Sequence, residues 1–269
     1  MYCRPRNSPT PLIRNQVLAD PVHIAIALIR AKTATHASLN AIDPPTLRQA
    51  HDRLDRATSI EHVLIAEAQA ARVAWSQQPI MLQWREAGSI PNSWKLPYST
   101  RRRMAGKNSK AATDPINALL NLSLAVTIGR ITVAIVARGL SPSIGFLHKT
   151  PRWALSYDAI EPLRPHVEAA TFRFIEGHQF SPNDFILASD GQVKTARELS
   201  RVFLDATAIP QAVIDRNVDW LVSLIRAPGQ FVPGDIAGPD YSHSGLGSIP
   251  FLGALGFDQR HKPLVEGCD

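Results

Sequence analysis

Cysteine is scarce in this sequence of 269 residues, which holds two, Cys3 and Cys268, at its extreme ends. Two such distant cysteines do not form a disulfide framework, and they exclude a zinc site built from thiolates. We therefore expect a reducing, cytoplasmic location. The apolar share of 45% and the charged share of 19% are typical of a folded globular chain and exclude a disordered or repeat protein.

Long uninterrupted apolar runs are missing as well. Residues 1–14 carry Arg4, Arg6 and Arg14 among prolines and lack the apolar core of a secretory signal, so we interpret them as a basic N-terminal arm. The stretch Ile116–Val136 is long enough to span a bilayer, but six polar residues interrupt it. We predict a buried central helix and no membrane association.

The common catalytic signatures are also absent. The sequence has no phosphate-binding loop ending in Lys-Ser/Thr, no Gly-x-Gly-x-x-Gly after a strand, no His-Glu-x-x-His and no Gly-x-Ser-x-Gly. Any chemistry therefore has to come from polar residues at unusual positions.

Helix signals dominate the region from Asp20 to Ile225. Asp20-Pro21 and Asp114-Pro115 each place an N-cap acceptor before a proline at the first helical position. Two capping-box patterns precede apolar runs, at Thr46 with Gln49 and at Thr58 with Glu61. Helix ends are predicted at Gly139 and Gly177.

One convincing strand signal is present, from Phe185 to Ala188 and from Gln192 to Thr195 around Asp190-Gly191, which predicts a two-stranded hairpin. The fold class is therefore mainly α with a small β-hairpin. We expect a helical domain over residues 15–227. Glycine and proline crowd residues 228–269, which predicts an irregular or disordered tail.

Glu67 lies in the middle of a predicted apolar helix face with Val63, Leu64 and Ala71. A carboxylate inside a core has to be protonated, paired with a cation or bound to a metal. A buried pair with an arginine or lysine and a functional role both remain open.

Two further polar features follow the long helix. His148 ends Gly145-Phe146-Leu147-His148 near a helix terminus, where a structural role is the simpler interpretation. Asp158 and Glu161 are three positions apart, so both share one face if the segment is helical. Either Arg164 or a divalent metal then separates the two acids. One imidazole and three carboxylates suit Mg²⁺ or Mn²⁺ better than zinc.

The order of these motifs resembles that of the CRISPR adaptation integrase family, CRISPR-associated protein one. The resemblance extends from about Arg14 to about Leu204. Four blocks carry it: Glu67–Trp75, Asp114–Asn121, Gly139–Pro142 with Gly145–His148, and Tyr157–Pro165.

The resemblance implies the helical, metal-dependent C-terminal domain of that family, which joins spacer DNA into a CRISPR array. It implies metal ligation by Glu67, His148 and Glu161, with Asp158 as a further ligand or as a support for one. It also implies a homodimer that works with CRISPR-associated protein two. Asn117 and Asn121 are expected to make structural hydrogen bonds. The family's N-terminal β-rich domain is expected to be absent, because the match begins almost at the start of the chain.

The formal net charge of +6 permits a polyanionic partner without requiring one. The best candidate for DNA contact is a ten-residue stretch without acids that holds Arg101, Arg102, Arg103, Lys107 and Lys110. The alternative is a solvated loop without a specific role.

The predicted function is that of a metal-dependent DNA integrase and endonuclease of CRISPR spacer acquisition. Two alternatives remain open. One is a nuclease that cuts branched DNA without integration. The other is a truncated, non-catalytic DNA-binding or assembly homologue.

Overall fold

The computed structural model describes residues 11–39, 41–76, 80–86, 90–98, 111–149 and 152–226. The basic stretch 101–110 and the predicted tail 228–269 lie outside these residues. The described part is mainly helical, as the sequence predicts. Its α-helices are α1 (Pro11–Leu18), α2 (Pro21–Ser38), α3 (Pro44–Asp55), α4 (Ile60–Ser76), α5 (Pro115–Ala137), α6 (Ala154–Ile160), α7 (Arg164–Gly177), α8 (Arg197–Thr207) and α9 (Gln211–Arg226).

The predicted basic arm, residues 1–14, is wrong at its C-terminal end, because residues 11–14 belong to helix α1. Leu12 packs against the core, and apolar burial outweighs the loop composition of the arm. Gln16, 1% exposed, fixes α1 to the turn after α5. Its amide nitrogen donates to the carbonyls of Ser141 and Ile144, and its oxygen accepts from the Ser141 amide.

Helix starts follow local capping chemistry. The predicted N-caps Asp20 and Asp114 are confirmed, and Asp114 also accepts a hydrogen bond from the Asn117 side chain. The predicted capping box at Thr46 is wrong: Asp43 caps α3, because Pro44 follows it at the first helical position.

The box predicted at Thr58 is displaced by one residue. The Ser59 hydroxyl accepts from the amide of His62, and the Ser59 carbonyl accepts from that of Val63. Ser59 therefore provides the cap. At the other end of a helix, Gly139 follows α5 with a φ of 77°, a conformation that glycine adopts without strain. α7 ends at Gly177, as predicted.

The predicted hairpin is confirmed. Strands β3 (Phe185–Leu187) and β4 (Val193–Thr195) pair antiparallel, with Phe185 opposite Thr195, and Gly191 has a φ of 81° in the turn. A second sheet has no local signal in the sequence. Strands β1 (Gln83–Trp84) and β2 (Gln179–Phe180) pair in parallel.

The central helix α5 packs against α6, α7, α9 and β4. Among the described helices, α5 is long and apolar enough to cross a membrane by length and composition, and so are α1 and α2 if joined, although they are bent by 90°. A core helix passes the same test. Ile116, Leu119, Ile131 and Ile135 of α5 are at most 1% exposed, and they contribute to the two main apolar clusters.

Candidate active site

The loop between α5 and α6 carries His148 and packs closely against α6. A β-carbon at Gly145 would lie 2.6 Å from Ala154 Cβ and 2.9 Å from Asp158 Oδ2. Only a glycine permits this approach without a shift of the backbone. The sequence Gly145-Phe146-Leu147-His148 therefore brings consecutive backbone amides onto the Asp158 carboxylate.

Asp158 is fully buried and accepts four hydrogen bonds. Three come from the amides of Phe146, Leu147 and His148, at 2.5, 3.1 and 2.9 Å. The fourth joins its Oδ1 to His148 Nδ1 at 2.8 Å. Because a carboxylate accepts, Nδ1 carries the proton and Nε2 is left as the nitrogen able to bind a metal. Asp158 thus orients the imidazole.

Glu67 and Glu161 meet at one lysine. The Nζ of Lys32, on α2, lies 2.6 Å from Glu67 Oε1 and 2.6 Å from Glu161 Oε2. The Lys32 and Glu161 side chains are 4% and 6% exposed, and that of Glu67 is 23% exposed. His148 Nε2 lies 3.9 Å from Glu161 Oε1. The structure therefore joins Glu67 and Glu161 through Lys32 and places His148 beside Glu161.

The charges at this place are strongly coupled. Burial alone raises the pKa of Glu161, but the cations of Lys32 and Arg164 and the Lys32 hydrogen bond lower it to about 2. Burial and Arg164 lower the pKa of Lys32, yet the carboxylates of Glu161 and Glu67 outweigh them and the net shift is upward. Glu161 and Lys32 are therefore both charged at neutral pH.

Arg164 adds a second, partly exposed cation beside Glu161. Its Nη1 lies 3.8 Å from Glu161 Oε1, and its Nε donates to Glu168 Oε1 at 3.0 Å. Glu168 raises the pKa of Arg164 despite burial. His148, Glu161 and Arg164 also line an open pocket of about 470 Å³, together with Asn117, Asn121 and Tyr157 and with apolar residues of α5.

The donor set fits a hard divalent cation, because carboxylate oxygens and an oriented imidazole are ligands that Mg²⁺ or Mn²⁺ accepts. Among the described residues, however, no three side chains of His, Cys, Asp or Glu are grouped closely enough to hold a metal ion. The Lys32 ammonium lies between Glu67 and Glu161 and balances their charge in this arrangement.

The chain matches the model of the family described as CRISPR associated protein Cas1 over residues 12–208. The chain belongs to the Cas1 family. The family match therefore includes Lys32 and all four predicted site residues, whereas α9 lies beyond it.

Curated Cas1 proteins are similar over part of this chain. The CRISPR-associated endonuclease Cas1 of Korarchaeum cryptofilum is 30% identical over 45% of this chain and 35% of its own length. A Methanospirillum hungatei protein of the same description is 34% identical over 36% of this chain and 30% of its own length. The chain thus spans about a third of these Cas1 relatives.

Solved structures share the fold at lower sequence identity. A casposase bound to an integration product has a TM-score of 0.69 and 20% identity, over 88% of this chain and 74% of the casposase. A Cas1 protein from Thermotoga maritima has a TM-score of 0.65 and 15% identity, over 86% of this chain and 75% of its own. The mainly helical fold predicted from the Cas1 resemblance is confirmed.

Two details of the sequence prediction need correction. Leu64, predicted on the apolar face with Glu67, is 43% exposed. α4 packs on α2 and α3 mainly through small residues, which places Glu67 at the edge of the buried face. The residues buried there are Val63, Ala66, Ala70 and Ala74.

The predicted relation between Asp158 and Glu161 also changes, because α6 ends at Ile160 and the two acids have different partners. Asp158 binds the His148 loop, whereas Glu161 pairs with Lys32. Sequence reasoning missed Lys32, although a lysine inside the apolar run of α2 was a usable signal. The predicted DNA contacts from Arg101 to Lys110 lie outside the described residues and stay a prediction.

Proposed function

We propose that this Cas1-family chain is a metal-dependent DNA endonuclease and integrase that joins DNA 3′-hydroxyl ends into a repeat by transesterification. One observation carries the proposal. Glu161 and a His148 imidazole oriented by Asp158 line a pocket with Arg164, and Glu67 meets Glu161 behind them at Lys32. Acidic oxygens, a fixed imidazole and a nearby arginine suit chemistry on a phosphodiester.

Glu67, His148 and Glu161 are the residues that would hold Mg²⁺ or Mn²⁺. When bound, the cation supplies Lewis-acid neutralisation of the phosphate oxygens. Asp158 keeps His148 Nδ1 protonated and Nε2 turned toward Glu161. The amides of Phe146, Leu147 and His148 bind the same carboxylate, so the backbone that carries the imidazole is held beside Asp158.

In the proposed function, Arg164 and the pocket bind the DNA backbone. The Arg164 side chain is 26% exposed and is held by Glu168 and Glu161, so it presents a fixed positive charge to an anionic backbone. Asn117 and Tyr157 bring polar groups to the same pocket. In the proposed reaction a 3′-hydroxyl oxygen bonds to phosphorus as one P–O bond of the target breaks, releasing a new 3′-hydroxyl. Water takes the place of the hydroxyl in cleavage.

The proposed partners are DNA, a second copy of the chain and Cas2, acting in the cytoplasm. A casposase similar in fold is bound to an integration product, and a Cas6-RT-Cas1–Cas2 complex contains a chain with a TM-score of 0.60. The stretch from Arg101 to Lys110 is the proposed source of further phosphate contacts.

A non-catalytic DNA-binding homologue is the second candidate, and Lys32 is the observation that favours it. The ammonium balances Glu67 and Glu161 without a metal. A chain that had lost catalysis would keep such a charge-balanced core. DNA binding without any reaction product would then be expected.

The test is a strand-transfer assay with labelled DNA ends and a supercoiled repeat plasmid, in Mn²⁺, Mg²⁺ or EDTA, with and without Cas2. Joined product is expected with either cation and is expected to disappear in Glu67→Gln and His148→Ala, whereas exposed Asp52→Ala on α3 should keep it. Cleavage of branched DNA without joining would favour the nuclease alternative. Full activity in Glu67→Gln would overturn the assigned site.

A further inference from the structure

Lys32 is the cation on which both candidate ligand carboxylates converge. It projects from α2, whose neighbouring residues are Leu28, Ile29 and Ala31, each at most 4% exposed. Lys32 itself is 3% exposed. Its Nζ binds Glu67 Oε1 and Glu161 Oε2 at 2.6 Å each. A lysine buried this deeply is found almost only where its charge is paired.

The two carboxylates need a cation even in the absence of metal. The negative charges of buried Glu161 and half-buried Glu67 repel, and leaving the buried charge of Glu161 unpaired would be strongly destabilising. Arg164 approaches one of them, with 3.8 Å between its Nη1 and Glu161 Oε1. Lys32 bonds to both, so it holds Glu67 and Glu161, 94 positions apart in the sequence, in one arrangement.

The same oxygens are those that a divalent cation would use. An ammonium between them opposes a second cation by charge repulsion and by occupying the carboxylate lone pairs. A lysine side chain has a flexible four-carbon stem, so its Nζ is able to move while the helix backbone stays in place. Lys32 and a metal are thus alternative counter-ions of one site.

We propose that Lys32 is a positioning residue that keeps Glu67 and Glu161 assembled in the metal-free protein and competes with the divalent cation for their oxygens, thereby setting the metal affinity. This inference rests on the proposed function, because it uses the same metal site. The sequence left open that a buried lysine or arginine pairs with Glu67; the structure identifies Lys32 as that cation and adds Glu161 as its second partner.

The test is a Mn²⁺ titration of the full chain, followed by electron paramagnetic resonance of free Mn²⁺, with thermal melting of the metal-free and metal-loaded protein. Lys32→Met should bind Mn²⁺ at least about tenfold more tightly than the wild type, because the competing charge is gone. Metal-free Lys32→Met should melt at a lower temperature, and Mn²⁺ should restore more of its stability than it adds to the wild type. Lys194→Met, at an exposed lysine of β4, is the matched control and should change neither quantity.

If metal-free Lys32→Met does not fold, Lys32→Gln is measured in the same way, since glutamine keeps a hydrogen-bond donor for the carboxylates without the charge. Unchanged or weaker Mn²⁺ binding in the variant that folds overturns the inference, and so does absence of Mn²⁺ binding in both wild type and variant.

Strand transfer by the wild type separates this result from the proposed function. Tighter Mn²⁺ binding in Lys32→Met with no DNA reaction in the wild type supports the inference and contradicts the proposed function. A DNA reaction in the wild type, together with an unchanged Mn²⁺ affinity in Lys32→Met, supports the proposed function and contradicts the inference.

Discussion

His148 Nδ1 lies 2.8 Å from Oδ1 of Asp158, a carboxylate that also accepts the backbone amides of Phe146, Leu147 and His148. One buried side chain therefore sets both the path of the loop and the tautomer of its histidine. This double use explains why a fully buried acid is tolerated here: each oxygen is fully hydrogen-bonded. The stability of the loop and the orientation of His148 cannot be changed independently at Asp158.

Asp158→Ala should be strongly destabilising, because it leaves the buried amides of Phe146 and Leu147 and the part-buried amide of His148 without an acceptor. We expect the free energy of unfolding to fall by about 3 kcal/mol or more, measured by urea denaturation of the metal-free protein. Exposed Asp52→Ala is the matched control and should change the unfolding free energy by less than about 0.5 kcal/mol. Equal stability of the two variants would show that the Asp158 hydrogen bonds do not hold the loop.

Gly145→Ala should destabilise the protein for a steric reason. The added β-carbon would meet Ala154 Cβ at 2.6 Å, and such overpacking typically costs about 1–3 kcal/mol. Gly129 in α5 is the opposite case, since nothing lies within 4 Å of its added β-carbon. Gly129→Ala should therefore stabilise the protein by about 0.5–1 kcal/mol through helix propensity. Denaturation midpoints that move in the same direction for both variants would contradict the close approach of the loop and α6.

The parts of the fold that the sequence predicted depend on local chemistry. Asp20 and Asp114 cap helices because an acceptor and a proline stand side by side, and Asp190-Gly191 turns the hairpin within four residues. Thr46 failed as a cap because Asp43, three positions earlier, is followed at once by proline. Such a competition between neighbouring caps is visible in the sequence, and the proline at the first helical position decides it in favour of Asp43.

The candidate site was predictable residue by residue but not as an arrangement. Glu67, His148 and Glu161 were found as polar residues at unusual positions and through the family resemblance. The pairing of Lys32 with Glu161 joins residues 129 positions apart, and no local pattern specifies it. The parallel contact of Gln83 with Gln179 is equally invisible, because long-range packing alone creates it.

Arg138 should couple α5 to α9 measurably. Its Nε and Nη2 donate to the two oxygens of Asp219 at 2.6 and 3.0 Å, a bidentate geometry, and its Nη1 reaches Asp215 Oδ1 at 3.3 Å. The Asp219 side chain is 63% exposed, so solvent screens the pair. A double-mutant cycle with Arg138→Met and Asp219→Asn should give a coupling energy of about 0.5–1 kcal/mol. The coupling should shrink in 1 M salt, and a value of zero at low salt would contradict the bidentate contact.

His36 should make the protein sensitive to acid. The residue is 1% exposed, and burial, with the charges of Lys32 and Arg164, lowers its pKa to about 3. An unfolded histidine takes up a proton below pH of about 6.5, whereas folded His36 stays neutral until about pH 3. The contribution of neutral His36 to the free energy of unfolding is therefore fully present above pH of about 6.5. It declines by roughly 1.4 kcal/mol per pH unit as the pH falls toward the pKa of His36 in the folded protein.

The pH effect of His36 is tested by comparing variants rather than by the wild type alone, since carboxylates also titrate in acid and burial lowers the pKa of His166 to about 4. Between pH 6.5 and 4.5 the unfolding free energy of His36→Leu should fall by roughly 2 kcal/mol less than that of the wild type, measured by urea denaturation at each pH. His62→Gln, at an exposed histidine, should retain the wild-type slope. Parallel curves for His36→Leu and the wild type would mean that His36 already binds a proton in the folded state, which its burial beside Lys32 and Arg164 opposes.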